Sequence, residues 1–272
     1  MKVAEALEVV VRTDPGIVRS HNEDAVFGDP ERGLVILADG MGGYNAGEVA
    51  SGMATALLAN SLTAPPPAGR AHKDAATVSA MHRHIIEQVA LTNDSIYRAA
   101  QSQPQYAGMG TTLVMAWFSD NIVSVAHIGD SRMYRLRGEE FVTVTRDHSL
   151  LQEQLDSGMI TPEEARFSQN KNLVTRALGV DPEVELEIHD YDVLPGDIYL
   201  LCSDGLNDMV EDDEIALTMQ TLQNNLALAG DQLIQMANDN GGRDNVSVIL
   251  VKVRGDFAAP SGWWQKLLAW FQ

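Results

Sequence analysis

Four apolar runs in this chain each abut a carboxylate at a glycine or asparagine corner, and this repeated pattern constrains the fold more than any other feature. Residues 34–43 read LVILADGMGG, 124–132 read SVAHIGDSR, 199–206 read YLLCSDGL and 243–250 read RDNVSVIL. The first three runs have the length and apolar continuity of short strands that end in an acidic corner; in the fourth, Asp244 comes just before the strand. Such strand ends can converge on one edge of a sheet. Several buried carboxylates held together repel one another and need cations between them. Ligation by oxygen alone points to hard divalent ions such as Mg2+ or Mn2+.

The rest of the composition is consistent with that reading. A chain of 272 residues, 45% of them hydrophobic, can build one large domain, or one domain and an appendage. Its net charge of −19 would repel a phosphate backbone, which argues against nucleic acid as a partner. Cys202 is the only cysteine, so an internal disulfide is excluded and a reducing, cytoplasmic setting is expected. Its place in an apolar strand favours an inert buried thiol over a nucleophile. The N-terminal stretch lacks the basic-then-apolar pattern of a signal peptide, and no apolar run reaches the ~18–20 residues that span a bilayer.

Local patterns predict strands over 8–13, 34–38, 110–118, 122–128, 133–136, 141–144, 184–190, 197–202 and 246–253, and helices over 48–58, about 73–100, 212–223 and 231–240. Val78, Met81, Ile85, Val89 and Ile96 keep helical spacing along the second helix. Residues 149–172 are polar and helix-like, with Thr161-Pro162-Glu163-Glu164 as a helix start, and read as an inserted flap. Sequential strands grouped between long helices favour antiparallel sheets with helices outside, rather than alternating βαβ units. The predicted organisation is one domain over 1–254 with the flap at about 149–172, a linker over 255–262 and an aromatic tail over 263–272.

Each acidic corner alone is a common turn, but their order is specific. RSHNED, ADGMGGYNAGEVAS, GTTLV, HIGDSRMYRL, TRDHSL, TRALG, CSDGL and GGRDNVSVIL together resemble the metal-dependent protein phosphatase family, the type 2C serine/threonine phosphatases, in its bacterial form. The resemblance covers about residues 7–253. It implies an α+β fold, a sandwich of two antiparallel β-sheets flanked by antiparallel helix pairs in α-β-β-α layers. It also implies hydrolysis of phosphoserine and phosphothreonine in proteins by direct attack of a metal-bridging hydroxide, with Mn2+ or Mg2+ as two core ions and a third besides. Carried over by motif, Asp39 bridges the core metals, the Gly40 carbonyl and Glu23 serve the second, and Asp204 and Asp244 complete the first. Asp130 shares the third metal with Asp204, and Asp24 lies beside Glu23 without an assigned role.

Elementary chemistry agrees with that assignment. Paired divalent cations lower the pKa of water, and Arg19, four residues before Glu23, can hold two phosphate oxygens at once. No side-chain nucleophile is required, so no phosphoenzyme is expected. One departure concerns the general acid. Relatives carry a His at the position of Met41 or of Tyr44, and this chain has neither, which leaves a metal-bound water or His21. His148, in TRDHS, lies outside the ligand motifs and reads as structural. His72, His82 and His84 read as solvated side chains. The Gly40, Gly42 and Gly43 cluster reads as a permissive corner rather than a nucleotide loop, because no Lys-Ser or Lys-Thr follows.

The tail, WWQKLLAWFQ, holds three of the four Trp residues. It reads as packing on its own domain or docking a partner, ahead of binding a membrane surface, since Lys266 is its only basic residue. Phosphorylated proteins and a cognate serine/threonine kinase are the expected partners. Rival readings are a non-catalytic phosphoprotein binder on the same fold, a hydrolase of small phosphate esters, and a scaffold acting through the tail.

Overall fold

The structure is a computed structural model, and it describes residues 1–43, 46–64, 79–165, 168 and 173–258. In chain order the elements are α1 (Val3–Ala6), β1 (Leu7–Asp14), β2 (Asp24–Asp29), β3 (Leu34–Met41), α2 (Ala46–Ser61), α3 (Ala80–Ser102), β4 (Gly110–Thr111), β5 (Leu113–Ser119), β6 (Ile122–Ile128), β7 (Arg132–Arg137) and β8 (Glu140–Thr143). They continue as α4 (Leu150–Asp156), α5 (Pro162–Ala165), β9 (Glu187–Asp192), β10 (Ile198–Cys202), α6 (Asp204–Asn207), α7 (Asp212–Thr221), α8 (Leu226–Asp239) and β11 (Val246–Val253). One sheet has the order β1-β11-β10-β7-β8 and the other β2-β3-β5-β6-β9, with β4 paired to β3. All these pairings are antiparallel.

The layers follow from strand alternation. Successive side chains point to opposite faces, so a strand covered on both faces must be apolar throughout. Along β3, Val35 and Leu37 enter the core between the sheets, while Leu34, Ile36 and Ala38 pack against α2 and α3. Along β10, Tyr199 and Leu201 face the other sheet, while Ile198, Leu200 and Cys202 pack against α7 and α8. The result is the expected α-β-β-α sandwich. α2 lies close to its sheet because its packed face is small: Gly47, Ala50, Ser51, Ala54 and Thr55 are all buried.

Several sequence boundaries shift. β2 was not expected: its six residues, DAVFGD, carry acids at both ends and a glycine inside, and pairing to β3 overrides that weak local preference. β3 runs through the Asp39-Gly40 corner because Gly40 and Met41 pair with β4. α8 begins at Leu226, ahead of the expected Asp231, because the Asn225 side chain caps it by accepting the Leu228 N–H at 3.1 Å. α3 begins at Ala80 with Ser79 as its cap; the earlier part of the expected helix, including Val78, and His72 just before it lie outside the described residues.

His82 and His84 are not freely solvated. His82 Nε2 lies 2.8 Å from Asp190 Oδ1, and the His84 ring centroid is 6.1 Å from that of Trp117. The flap contains α4 and α5, with 166–167 and 169–172 outside the described residues. The expected linker contains a packed residue near its start. Phe257 is buried in the inter-sheet core, and its N–H donates to Asn121 Oδ1 at 2.8 Å. The tail over 263–272 lies outside the described residues.

Candidate active site

Strand register brings the acidic corners to one end of the sandwich. Cys202 pairs with Arg132 and with Val248, so Asp204, Asp130 and Asp244 all emerge at the same edge of the first sheet. In the second sheet Asp24 sits opposite Asp39, and Leu113 opposite Ile128, which puts Thr112 beside Gly129. Arg19, Glu23, Asp39, Gly40, Met41, Asp130, Asp204 and Asp244 then line one cleft of about 250 Å³. Every residue assigned to the site by motif is in it.

Neutral groups hold these residues in place. Thr112 accepts the Asp39 N–H on Oγ1 at 3.0 Å, its own N–H donates to the Asp39 carbonyl at 2.9 Å, and Thr111 Oγ1 donates to that carbonyl at 2.9 Å. Asn245 ties the Arg19 loop to β11. Its Oδ1 accepts the Glu23 N–H at 2.8 Å, and its Nδ2 donates to the carbonyls of Pro15 and His21 at 2.9 and 2.8 Å. Ser203 Oγ donates to Asp24 Oδ2 at 2.8 Å. Sequence reasoning did not single out Thr112, Ser203 or Asn245, although each lies inside a quoted motif; their polar side chains next to an apolar strand were the available signal.

Close backbone approach explains a glycine pair. A Cβ on Gly40 would lie 2.1 Å from the Gly47 carbonyl oxygen, and one on Gly47 would lie 2.7 Å from the Gly40 carbonyl carbon. Only two glycines let the N-terminal turn of α2 press against the Asp39-Gly40 corner.

The electrostatics show an uncompensated site. Burial, followed by repulsion from neighbouring carboxylates, pushes Asp39 and Asp204 well above the usual carboxylate range. Burial is also the largest cause that raises Asp24 and Asp130, each to about 6, and Glu23 upward. Asp24 Oδ1 is buried and accepts no hydrogen bond from a described residue. Arg19 is the one cation among the described residues lining the cleft, and its Nη2 donates to Asp244 Oδ2 at 2.6 Å. Five lining carboxylates against one guanidinium, with oxygen donors only, fit hard divalent cations.

The remaining candidates are not all in the cleft. Met41 is on the cleft wall, and Tyr44 lies outside the described residues. His21 is exposed and is not among the lining residues. Cys202 is fully buried, and burial pushes its thiol far above the ordinary range, as expected of an inert thiol. A second cleft of about 220 Å³ shares Asp130 and Asp204 and runs beneath α4 past Asp147 and Gln152.

Residues 18–247 match the family model described as Protein phosphatase 2C. Among curated relatives, the serine/threonine protein phosphatase PstP of Mycobacterium tuberculosis is 40% identical over 254 residues, covering 93% of this chain and 46% of that protein. The chain thus spans about half the length of that relative. The serine/threonine phosphatase stp of Listeria monocytogenes is 39% identical over 244 residues, covering 89% of this chain and 94% of its own length. Among solved structures, the M. tuberculosis PstP structure superposes with a TM-score of 0.83 at 37% identity, covering 92% of this chain and 99% of that one. The PstP catalytic domain described in complex with two manganese ions superposes with a TM-score of 0.78 at 38% identity, with the same coverage.

Proposed function

This chain belongs to the protein phosphatase 2C family, and from that premise we propose that it is a metal-dependent phosphatase of phosphoserine and phosphothreonine in proteins, opposing a bacterial serine/threonine kinase. The observation that carries the reading is the cleft itself, in which Arg19 faces five carboxylates delivered by separate strand ends. Asp39, Asp204 and Asp244, with the Gly40 carbonyl and Glu23, would hold two core ions, Mn2+ or Mg2+. Asp130 with Asp204 would hold a third. Bound divalent cations supply Lewis acidity that generates hydroxide from water near neutral pH and neutralises charge on a phosphoryl group.

The chain's own groups do the rest. Arg19 presents a planar fork of donors to phosphate oxygens. Its Nη2 donates to Asp244 Oδ2, a contact that keeps the guanidinium over the cleft. Thr111 and Thr112 fix the Asp39 backbone, and Asn245 fixes the loop that carries Arg19. Met41 has no proton to give a leaving alcohol. A phosphocysteine is ruled out by the burial of Cys202.

We assign the catalytic unit to residues 1–254, and 263–272 to a tail for self-packing or partner docking. No helix among the described residues is long and apolar enough to cross a membrane. A reducing, cytoplasmic setting suits the single buried thiol.

The test is phosphate release from a phosphothreonyl peptide with Mn2+ and then with excess chelator, run beside a small aryl phosphate. Turnover of the peptide that requires the metal is the expected result. Preference for the small ester, or no turnover with metal bound, would overturn the reading.

A further inference from the structure

The TRDHS segment closes on the loop that carries Asp130 from both sides. Beyond Asp130, Arg132 Nε donates to Asp147 Oδ1 at 2.9 Å and Arg132 Nη2 to Asp147 Oδ2 at 2.7 Å. Before Asp130, His148 grips the Gly129 backbone on both sides of its Cα. Its backbone N–H donates to the Gly129 carbonyl at 2.9 Å, and its Nδ1 accepts the Gly129 N–H at 3.2 Å. Gly129 has a φ of +100°, a conformation that L side chains rarely adopt. Its torsions are therefore free to turn unless something fixes them, and they set where the next carboxylate points.

The protonation of His148 follows from those contacts. An Nδ1 that accepts a hydrogen bond carries no proton, so the ring proton is on Nε2. Nε2 lies 3.2 Å from Glu187 Oε2. His127 stacks on the same ring with centroids 4.7 Å apart, and its Nε2 donates to the Arg146 carbonyl at 2.8 Å. His127, His148 and Glu187 place ligand atoms within 4.8 Å of one another, as a metal site would. Coordination through His148 Nε2 would move the proton to Nδ1, where it would meet the Gly129 N–H, so the geometry opposes a metal there. What it supports is a neutral imidazole used as a bracket. The segment of chain entering the flap is tied to the one leaving it: the His148 carbonyl accepts the Thr175 N–H at 2.8 Å, and the Leu150 N–H donates to the Leu173 carbonyl at 2.9 Å.

We propose that His148 is a positioning residue, which fixes the Gly129 peptide so that the Asp130 carboxylate faces Asp204, and which thereby sets the affinity of the cation those two carboxylates would share. This rests on the assignment of Asp130 to a third cation site given above. Contacts that orient a ligand from behind typically change metal affinity by about 10–100-fold.

The experiment is an equilibrium titration of the full-length, metal-free protein with Mn2+, with free Mn2+ read by electron paramagnetic resonance. It compares wild type with Asp130→Ala, His148→Ala, His148→Asn and His148→Gln. Asn can place Oδ1 where Nδ1 accepts the Gly129 N–H, whereas Gln can place its Nε2 only where the ring donates to Glu187. The expected result is a weak class of sites that Asp130→Ala removes, that Ala and Gln at 148 weaken by about tenfold, and that Asn restores. The two tighter sites should hold in all four variants. Should the Ala variant also lose the tight sites through general loosening, the Asn-against-Gln comparison decides. Unchanged weak-site affinity in every His148 variant, or rescue by Gln and not by Asn, overturns the proposal. A weak class that survives Asp130→Ala overturns instead the assignment of Asp130, and so distinguishes the two failures.

Discussion

At the scale of single residues, the cleft separates groups that would bind cations from the group that would bind phosphate. Arg19 lies on an exposed loop and contacts Asp244 through one nitrogen. Arg19→Ala should lower kcat/KM for a phosphothreonyl peptide roughly ten- to a hundredfold, chiefly through KM, because a charge-assisted hydrogen bond is lost. Mn2+ stoichiometry should be unchanged, and steady-state kinetics with a parallel Mn2+ titration checks both. Asp24 gives a pH prediction. Its folded pKa is raised to about 6, chiefly by burial, against about 3.9 when unfolded. Between those values the native state holds more protons than the unfolded state, so the Asp24 contribution to stability falls as pH rises through about 4 to 6. Asp24→Asn should remove that component, and melting of the chelator-treated proteins at pH 5 and pH 7.5 checks it. The smaller pH 5 to pH 7.5 difference should belong to the variant.

At the scale of elements, the site depends on how tightly α2 meets the end of β3. The helix is short-chained on its inner face, and Ser51 Oγ donates to the Glu23 carbonyl, joining it to the loop before β2. A methyl at Gly47 would press on the Gly40 carbonyl carbon at 2.7 Å and on Glu23 Cδ at 2.9 Å. Gly47→Ala should therefore cost about 1–3 kcal/mol of stability by overpacking. It should also weaken Mn2+ binding, since it displaces two assigned ligands together. Urea denaturation of the metal-free protein and a Mn2+ titration measure the two effects. Full stability with full Mn2+ affinity would show that the approach of α2 is not needed.

At the scale of the whole molecule, the sandwich brings repelling carboxylates to one edge, and its cores must hold that edge together. The metal-free protein should melt at a lower temperature than the Mn2+-loaded one. The gap should widen with Mn2+ concentration as mass action requires, by about 2.7 kcal/mol for one site at a hundred times its dissociation constant. A scan with Mn2+ and with chelator checks this; a melting temperature indifferent to both would contradict the cation site.

Much of this architecture was legible in the chain itself. The runs LVILADG, YLLCSDG and RDNVSVIL announced strands because a strand covered on both faces has to be apolar along its length, and that demand is local. The order of their acidic corners identified the family, and named the carboxylates that gather in the cleft, for the same reason, since each motif is contiguous. Other features depended on residues far apart in sequence. β2 formed only because β3 was there to pair with it. The first strand met the last, β1 on β11, which no local signal specified. Asn245 reached back across the chain to Pro15, His21 and Glu23, and His148 closed on Gly129. Contiguous patterns determined which residues would carry the chemistry. Their direction and spacing were decided by hydrogen bonds between segments that become neighbours only after folding.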